Sequence, residues 1–280
     1  MLLWHWRYIP CKGVKLDFDE LEIYPKHEST LVHLRRRDPK KRIEIKLKHI
    51  DRESDYNSFK LIDDVDFEVA LKSPDGDGRF ALDPVHVFSF LLMIRTGGWI
   101  NAPAILTHSV LDQPESDSRH VFCERFIDAI PNRYRETKLT LEDAQWISTH
   151  MDTGLRFTHD RIFQNAMQSL TSYHCIPYAN ACLLLAWSGL EALFRTEREI
   201  SFRLALYISN FLRKGSERET LFEQLRQGYN ARSKAAHGAS TKVADIHTHA
   251  EFARDILREC LLKCIETKAF PEPKHLTFGG

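Results

Sequence analysis

The chain has 280 residues, 43% of them hydrophobic, which is enough for one large core or two modest ones. Its 39 basic residues balance 39 acidic ones at a pI near 7.2, which excludes a protein that coats nucleic acid through overall charge; any such contact has to be local. No apolar run reaches the roughly eighteen residues a membrane span needs, and the opening MLLWHWRYIPCKG interrupts any signal-peptide core with Arg7, so a cytoplasmic protein is expected.

From Met1 to about Leu82 the pattern is that of strands, as in RIEIKLKHI, where apolar and polar residues alternate with period two. SPDGDGR (Ser73 to Arg79) gathers Pro, Asp and Gly into a turn, and a hairpin is expected there, because the segment lacks the ligand spacing and closing glutamate of a calcium loop. DPVHVFSFLLMIRTGG then reads as a helix, with Asp83 and Pro84 suited to its start and Gly97 and Gly98 to its end. The polar, irregular stretch Leu106 to His120 marks a domain boundary, drawn at 112/113. Beyond it everything reads as helical: Ser118–Ile130, Leu141–Met151, Arg156–Tyr173, Tyr178–Arg195, Ser201–Arg213, Glu217–Ala236 and Val243–Thr267.

Two of these helices carry a charged residue on an apolar face. In ACLLLAWSGLEALFR, an advance of about 100° per residue puts Leu183, Ala186, Trp187, Leu190, Leu193 and Phe194 on one side. Glu191 falls within that sector, and a carboxylate there needs a partner or a cleft. In ERETLFEQLRQGYNARSKAAHG, Leu221, Leu225 and Tyr229 form the stripe and Arg232 continues it. A guanidinium cannot shed its charge, so Arg232 calls for a carboxylate or a phosphate, and Glu191 is the intramolecular candidate. His237 lies five residues on, about 140° round a regular helix, yet Gly238 is suited to ending the helix, where the chain unwinds and the imidazole can swing back.

In this order, LLLAWSGLEALF, FRLALYISNFL and YNARSKAAHG resemble the HEPN superfamily, and most closely its Apea-like branch, over roughly Phe157 to Lys268. The resemblance implies a helical bundle that forms a homodimer and places two R-x4-H motifs in one cleft. It implies a metal-independent endoribonuclease with no cofactor, of the kind found in anti-phage, abortive-infection and toxin systems. Arg232 would then hold the scissile phosphate of an RNA substrate, and His237 would act as general acid or base. Ser233 would help hold phosphate or orient the pair, Glu191 would fix the arginine, and Tyr229 would stack on a base or support the cleft. Such chemistry uses the RNA's own 2′-hydroxyl and leaves 2′,3′-cyclic phosphate and 5′-hydroxyl ends. Some HEPN domains are instead catalytically silent dimerisation or binding modules, or act under a sensor domain that answers a phage-derived trigger.

Between Leu34 and His49 the chain holds eight Lys or Arg against two acids. Arg35, Arg36, Arg37, Lys40, Lys41 and Arg42 are candidates for an RNA-tracking patch, although a solvated hairpin edge guarded by lysines accounts for them equally well. In DIHTHAEF, His247 and His249 stand two residues apart on a helix and point apart, so no metal is expected. Cys260 and Cys264 share a helix face in CLLKC, and no CxxC pair occurs anywhere; core packing is expected of them. The expectation as a whole is an α+β protein: a β-rich accessory or sensor domain with one helix over 1–112, then an all-helical HEPN-like domain over 113–280.

Overall fold

The computed structural model describes residues 4–23, 31–40, 44–49, 59–62, 65–74, 83–102, 104–106, 108–112, 121–126, 137–196, 200–237 and 243–278. A β-rich N-terminal part is followed by a helical part, the α+β arrangement expected from the sequence. The chain divides into two compact units, Met1–Leu155 and Arg156–Gly280.

The first unit is built on an eight-stranded mixed sheet. Its strands are β1 (Trp4–Cys11), β3 (Glu20–Ile23), β4 (Leu31–Arg36), β5 (Glu44–His49), β6 (Phe59–Ile62), β7 (Phe67–Pro74), β8 (Ala104–Leu106) and β9 (Val121–Phe126). They run in the order β3-β4-β7-β1-β8-β9-β5-β6, antiparallel except for the parallel pair of β5 and β9. A separate parallel pair joins β2 (Val14–Leu16) to β10 (Thr137–Leu139). Strand β7 lies between β4 and β1, and Phe67, Glu68, Val69, Ala70 and Leu71 are all buried, so both of its faces are covered. Helix α1 (Asp83–Thr96) buries Val87, Phe88, Leu91, Leu92 and Ile94 completely, which makes it a core helix rather than an amphipathic one. It ends as expected, with Gly97 at φ 74° and its N–H donating to the Met93 carbonyl at 2.8 Å. Helix α2 (Leu141–Phe157) starts at Thr140, whose Oγ1 accepts from Asp143 N (3.1 Å) and donates to Asp143 Oδ2 (2.8 Å).

Three expectations change here. Residues 121–126, placed within a helix from the sequence, form β9 instead, because the Val-Phe-Cys run is taken up between β8 and β5 in long-range pairing. The helix expected from Arg156 begins only at Arg161, since α2 runs on to Phe157 and Asp160 caps the next helix by accepting from Ile162 N (2.8 Å) and Phe163 N (3.2 Å). And β4 and β5 are not an edge hairpin: β4 sits between β3 and β7, and β5 between β6 and β9. After β7 the next described element is α1; most of the expected SPDGDGR turn lies outside the described residues.

The second unit consists of α3 (Arg161–Tyr173), α4 (Ala179–Phe194), α5 (Ile200–Leu212), α6 (Gly215–Ala236), α7 (Val243–Thr267) and the short α8 (Pro273–Phe278). Helix α4 is central, packing on α3, α5, α6 and α7. Its predicted stripe is the core: Leu183, Ala186, Trp187, Leu190, Leu193 and Phe194 are fully buried. Close approach depends on Gly189, where a Cβ would stand 2.7 Å from a Leu257 methyl and 2.9 Å from Ser169 Cβ. Cys182, Cys260 and Cys264 are buried in this unit as small apolar side chains. Among the described residues no helix is long and apolar enough to cross a membrane.

Candidate functional site

Helices α4 and α6 meet at a polar point set against an apolar core. On α6, Leu221, Leu225 and Gly228 are buried, and the stripe continues into the half-buried Tyr229 and Arg232. Gly228 permits the approach: a Cβ there would lie 3.0 Å from Trp187 Cζ2 and 3.5 Å from the Phe252 ring. The Tyr229 ring meets Trp187 edge-on, with centroids 5.2 Å apart at 86°. Its hydroxyl donates to Glu191 Oε1 at 3.0 Å, and Arg232 Nη2 reaches the same oxygen at 3.3 Å. The Arg232 guanidinium also lies 5.4 Å from the Tyr229 ring centre. Sequence reasoning had paired Glu191 with Arg232; the structure adds that Tyr229 touches both.

The electrostatics follow from this geometry. Burial, then the adjoining Glu191 carboxylate, raises the Tyr229 phenol above its ordinary value, so the hydroxyl remains a donor. Glu191 and Arg232 side chains are 23% and 26% exposed, so the pair lies at the boundary with solvent rather than sealed beneath it. Arg232 Nε is buried without an acceptor among the described residues. A guanidinium offers five N–H donors and Glu191 engages only one side of it, which leaves capacity for a second anion.

His237 stands at the C-cap of α6 with φ −95° and ψ 10°, its backbone N–H donating to Ser233 O at 3.2 Å. The side chain is exposed. Among the described residues, no hydrogen bond, ion pair or ring contact joins it to Arg232, Tyr229 or Glu191. Ser233 is half-buried one residue beyond Arg232 on α6, and Gly238 lies outside the described residues. The structure therefore brings Glu191, Tyr229 and Arg232 together and leaves His237 at the helix end, turned to solvent.

The basic candidates in the first unit have a different setting. Arg35 makes a two-pronged contact to Asp112 (2.8 and 2.5 Å) and approaches Glu68 at 3.8 Å. Arg36 pairs with Asp19, and Arg37 donates to the Val65 carbonyl at 3.3 Å. Lys40 is exposed; Lys41 and Arg42 lie outside the described residues. Sequence reasoning passed over Glu68, the fully buried carboxylate beneath Arg35. It accepts from Ser109 Oγ and Val110 N, both at 2.8 Å, and burial pushes it up to about 7 against the pull of those donors and Arg35. No local signal marks it, because its donors lie more than forty residues away in the sequence.

Among the described residues no group of three or more His, Cys, Asp or Glu side chains is placed to hold a metal ion, and His247 and His249 lie on α7 outside any such group. Comparison with protein-family models, with curated proteins and with solved structures finds no match for this chain.

Proposed function

We propose that the helical unit is a metal-independent endoribonuclease of HEPN type, working as a homodimer and serving in defence against phage. The observation that carries this reading is Arg232 itself: a half-buried, permanently charged guanidinium, held by a single carboxylate that it shares with Tyr229 and backed by an aromatic ring. Such a group is placed for an oxyanion, and a phosphodiester matches its planar fork. His237, five residues on, supplies an imidazole, a side chain suited to general acid or base work.

In the proposed reaction, Arg232 binds the scissile phosphate and stabilises the charge that builds on its oxygens. The 2′-hydroxyl attacks phosphorus, its proton passing to an imidazole; the bond to the 5′-oxygen breaks, and that oxygen takes a proton from an imidazolium. A homodimer supplies two copies of His237, one for each proton transfer, which accommodates an imidazole that faces solvent in the single chain. Glu191 and Tyr229 position the guanidinium and do not touch the reacting atoms.

The test is to express the wild-type chain and His237→Ala and to compare growth and bulk RNA integrity with and without phage challenge. RNA breakdown that requires His237 supports the nuclease. Identical behaviour in every condition favours a silent binding module, the reading to which the exposed, unengaged His237 ring belongs.

A further inference from the structure

The Arg232 site does not end at Arg232. With an advance of about 100° per residue, Arg218 and Arg226 lie about 40° to either side of Phe222, and Tyr229 and Ser233 about 20° to either side, so all five follow one line along α6. Arg218 and Arg226 are exposed, while Phe222, Tyr229 and Ser233 are half-buried. Phe222 is joined edge-on by Phe202 of α5, with centroids 5.6 Å apart at 81°. Phe202 is 52% exposed, unusual for so large an apolar ring. Arg226 lies 5.9 Å from the Phe222 ring centre, as Arg232 lies 5.4 Å from that of Tyr229. The line thus repeats a guanidinium on an aromatic ring twice, seven residues and about 10 Å apart. Carboxylates border it: Glu219 stands about 60° from Phe222 and about 20° from Arg226, Glu223 about 100° from Phe222, and Glu191 accepts from Tyr229.

Resting on the nuclease reading, we propose that this line is the substrate track of the same site, and that it takes single-stranded RNA, whose bases stack on Phe202 and Phe222 and whose phosphates meet Arg218 and Arg226. Alternating rings and cations suit unpaired strands, because a ring needs an unstacked base face and a guanidinium a phosphate nearby. A duplex hides its base faces and gains only from the charges.

The test uses the full chain carrying His237→Ala, which keeps the RNA intact, with and without Phe202→Ala and Arg226→Gln. Anisotropy of a fluorescein-labelled 12-nucleotide single-stranded RNA and of the same sequence as a duplex is followed at two salt concentrations, with circular dichroism confirming the fold. The double substitution at 202 and 226 is expected to weaken single-strand binding about tenfold and duplex binding by only the roughly two- to fourfold that one lost charge costs. Arg226→Gln alone lowers the salt slope by about 0.7. The track is overturned by unchanged single-strand affinity, by an equal loss for duplex, or by no single-strand binding at all. A dimer that dissociates on Phe202→Ala with RNA affinity intact also overturns it, assigning the patch to self-association. If the chain with native His237 cleaves RNA and the 202/226 pair leaves its KM unchanged, the track falls and the nuclease stands. If single-strand binding depends on the pair but the chain with native His237 cleaves nothing, the nuclease falls and the track stands.

Discussion

Each unit of this protein holds a glutamate beside an arginine, and the two pairs are built to opposite ends. In the sheet unit Glu68 is fully buried, its two oxygens are taken by Ser109 and Val110, and the nearby Arg35 is committed to Asp112. One cation there faces two carboxylates, so nothing is left over for a ligand. In the helical unit Glu191 and Arg232 are each about a quarter exposed, and one carboxylate oxygen serves both Arg232 and Tyr229. A closed network fixes a sheet to its neighbouring loop; an open one keeps binding capacity in reserve. An arginine near a glutamate therefore says little until one asks which donors remain.

The sharpest way to separate the two is to break the open pair. Arg232→Gln is expected to lower RNA cleavage by about 10²–10³-fold, the cost of losing a donor to the developing phosphate charge. Its effect on stability is expected to be about 1 kcal/mol or less, since the pair is partly solvated. Cleavage assays beside thermal melts check this; a large loss of stability with cleavage unchanged reverses the roles assigned to the two units.

Next in size is the closed pair. Burial raises Glu68 from 4.5 to about 7, so the folded chain holds a proton that the unfolded chain releases in that window. Stability contributed by the neutral form is complete below the lower value and is lost as pH rises through the upper one. Relative to Glu68→Gln, the wild type is expected to lose about 3 kcal/mol between pH 4.5 and about pH 8, read from urea unfolding at each pH. The substitution is expected to leave RNA cleavage unaltered. A stability difference that does not vary with pH means the buried carboxylate is not neutralised.

The smallest effect tests the contact that places α6. Gly228→Ala puts a methyl 3.0 Å from Trp187 and obliges the helix or the indole to move by a few tenths of an ångström. A destabilisation of about 1–2 kcal/mol is expected, with a several-fold drop in cleavage as Tyr229 and Arg232 shift from Glu191. Unchanged kinetics detach the site from the packing beneath it.

The parts of this molecule legible in the sequence are those governed by local periodicity. Helices α4, α6 and α7 follow from the 3.6-residue repeat, and the Glu191–Arg232 pair follows from two charges on apolar stripes. Strand β9 was not legible, since a six-residue apolar-rich run fits either element until parallel pairing with β5 decides it. Glu68 was hidden for a related reason: in FEVALK it occupies the polar phase of an alternating strand, and only coverage of both faces of β7 buries it. The neutralised settings of Arg35 and Arg36 likewise depend on Asp112 and Asp19, which composition counts as separate charges. What sequence reading put in one motif, the fold distributes: Arg232 sits at the helix contact, and His237 at the solvent-facing cap.

The end groups of the RNA products test the central claim most directly. With purified wild-type protein in the presence of a chelator, the account predicts fragments ending in 2′,3′-cyclic phosphate and 5′-hydroxyl, absent with Arg232→Gln and with His237→Ala. Fragments bearing 5′-phosphates, or cleavage undiminished in either variant, would contradict it.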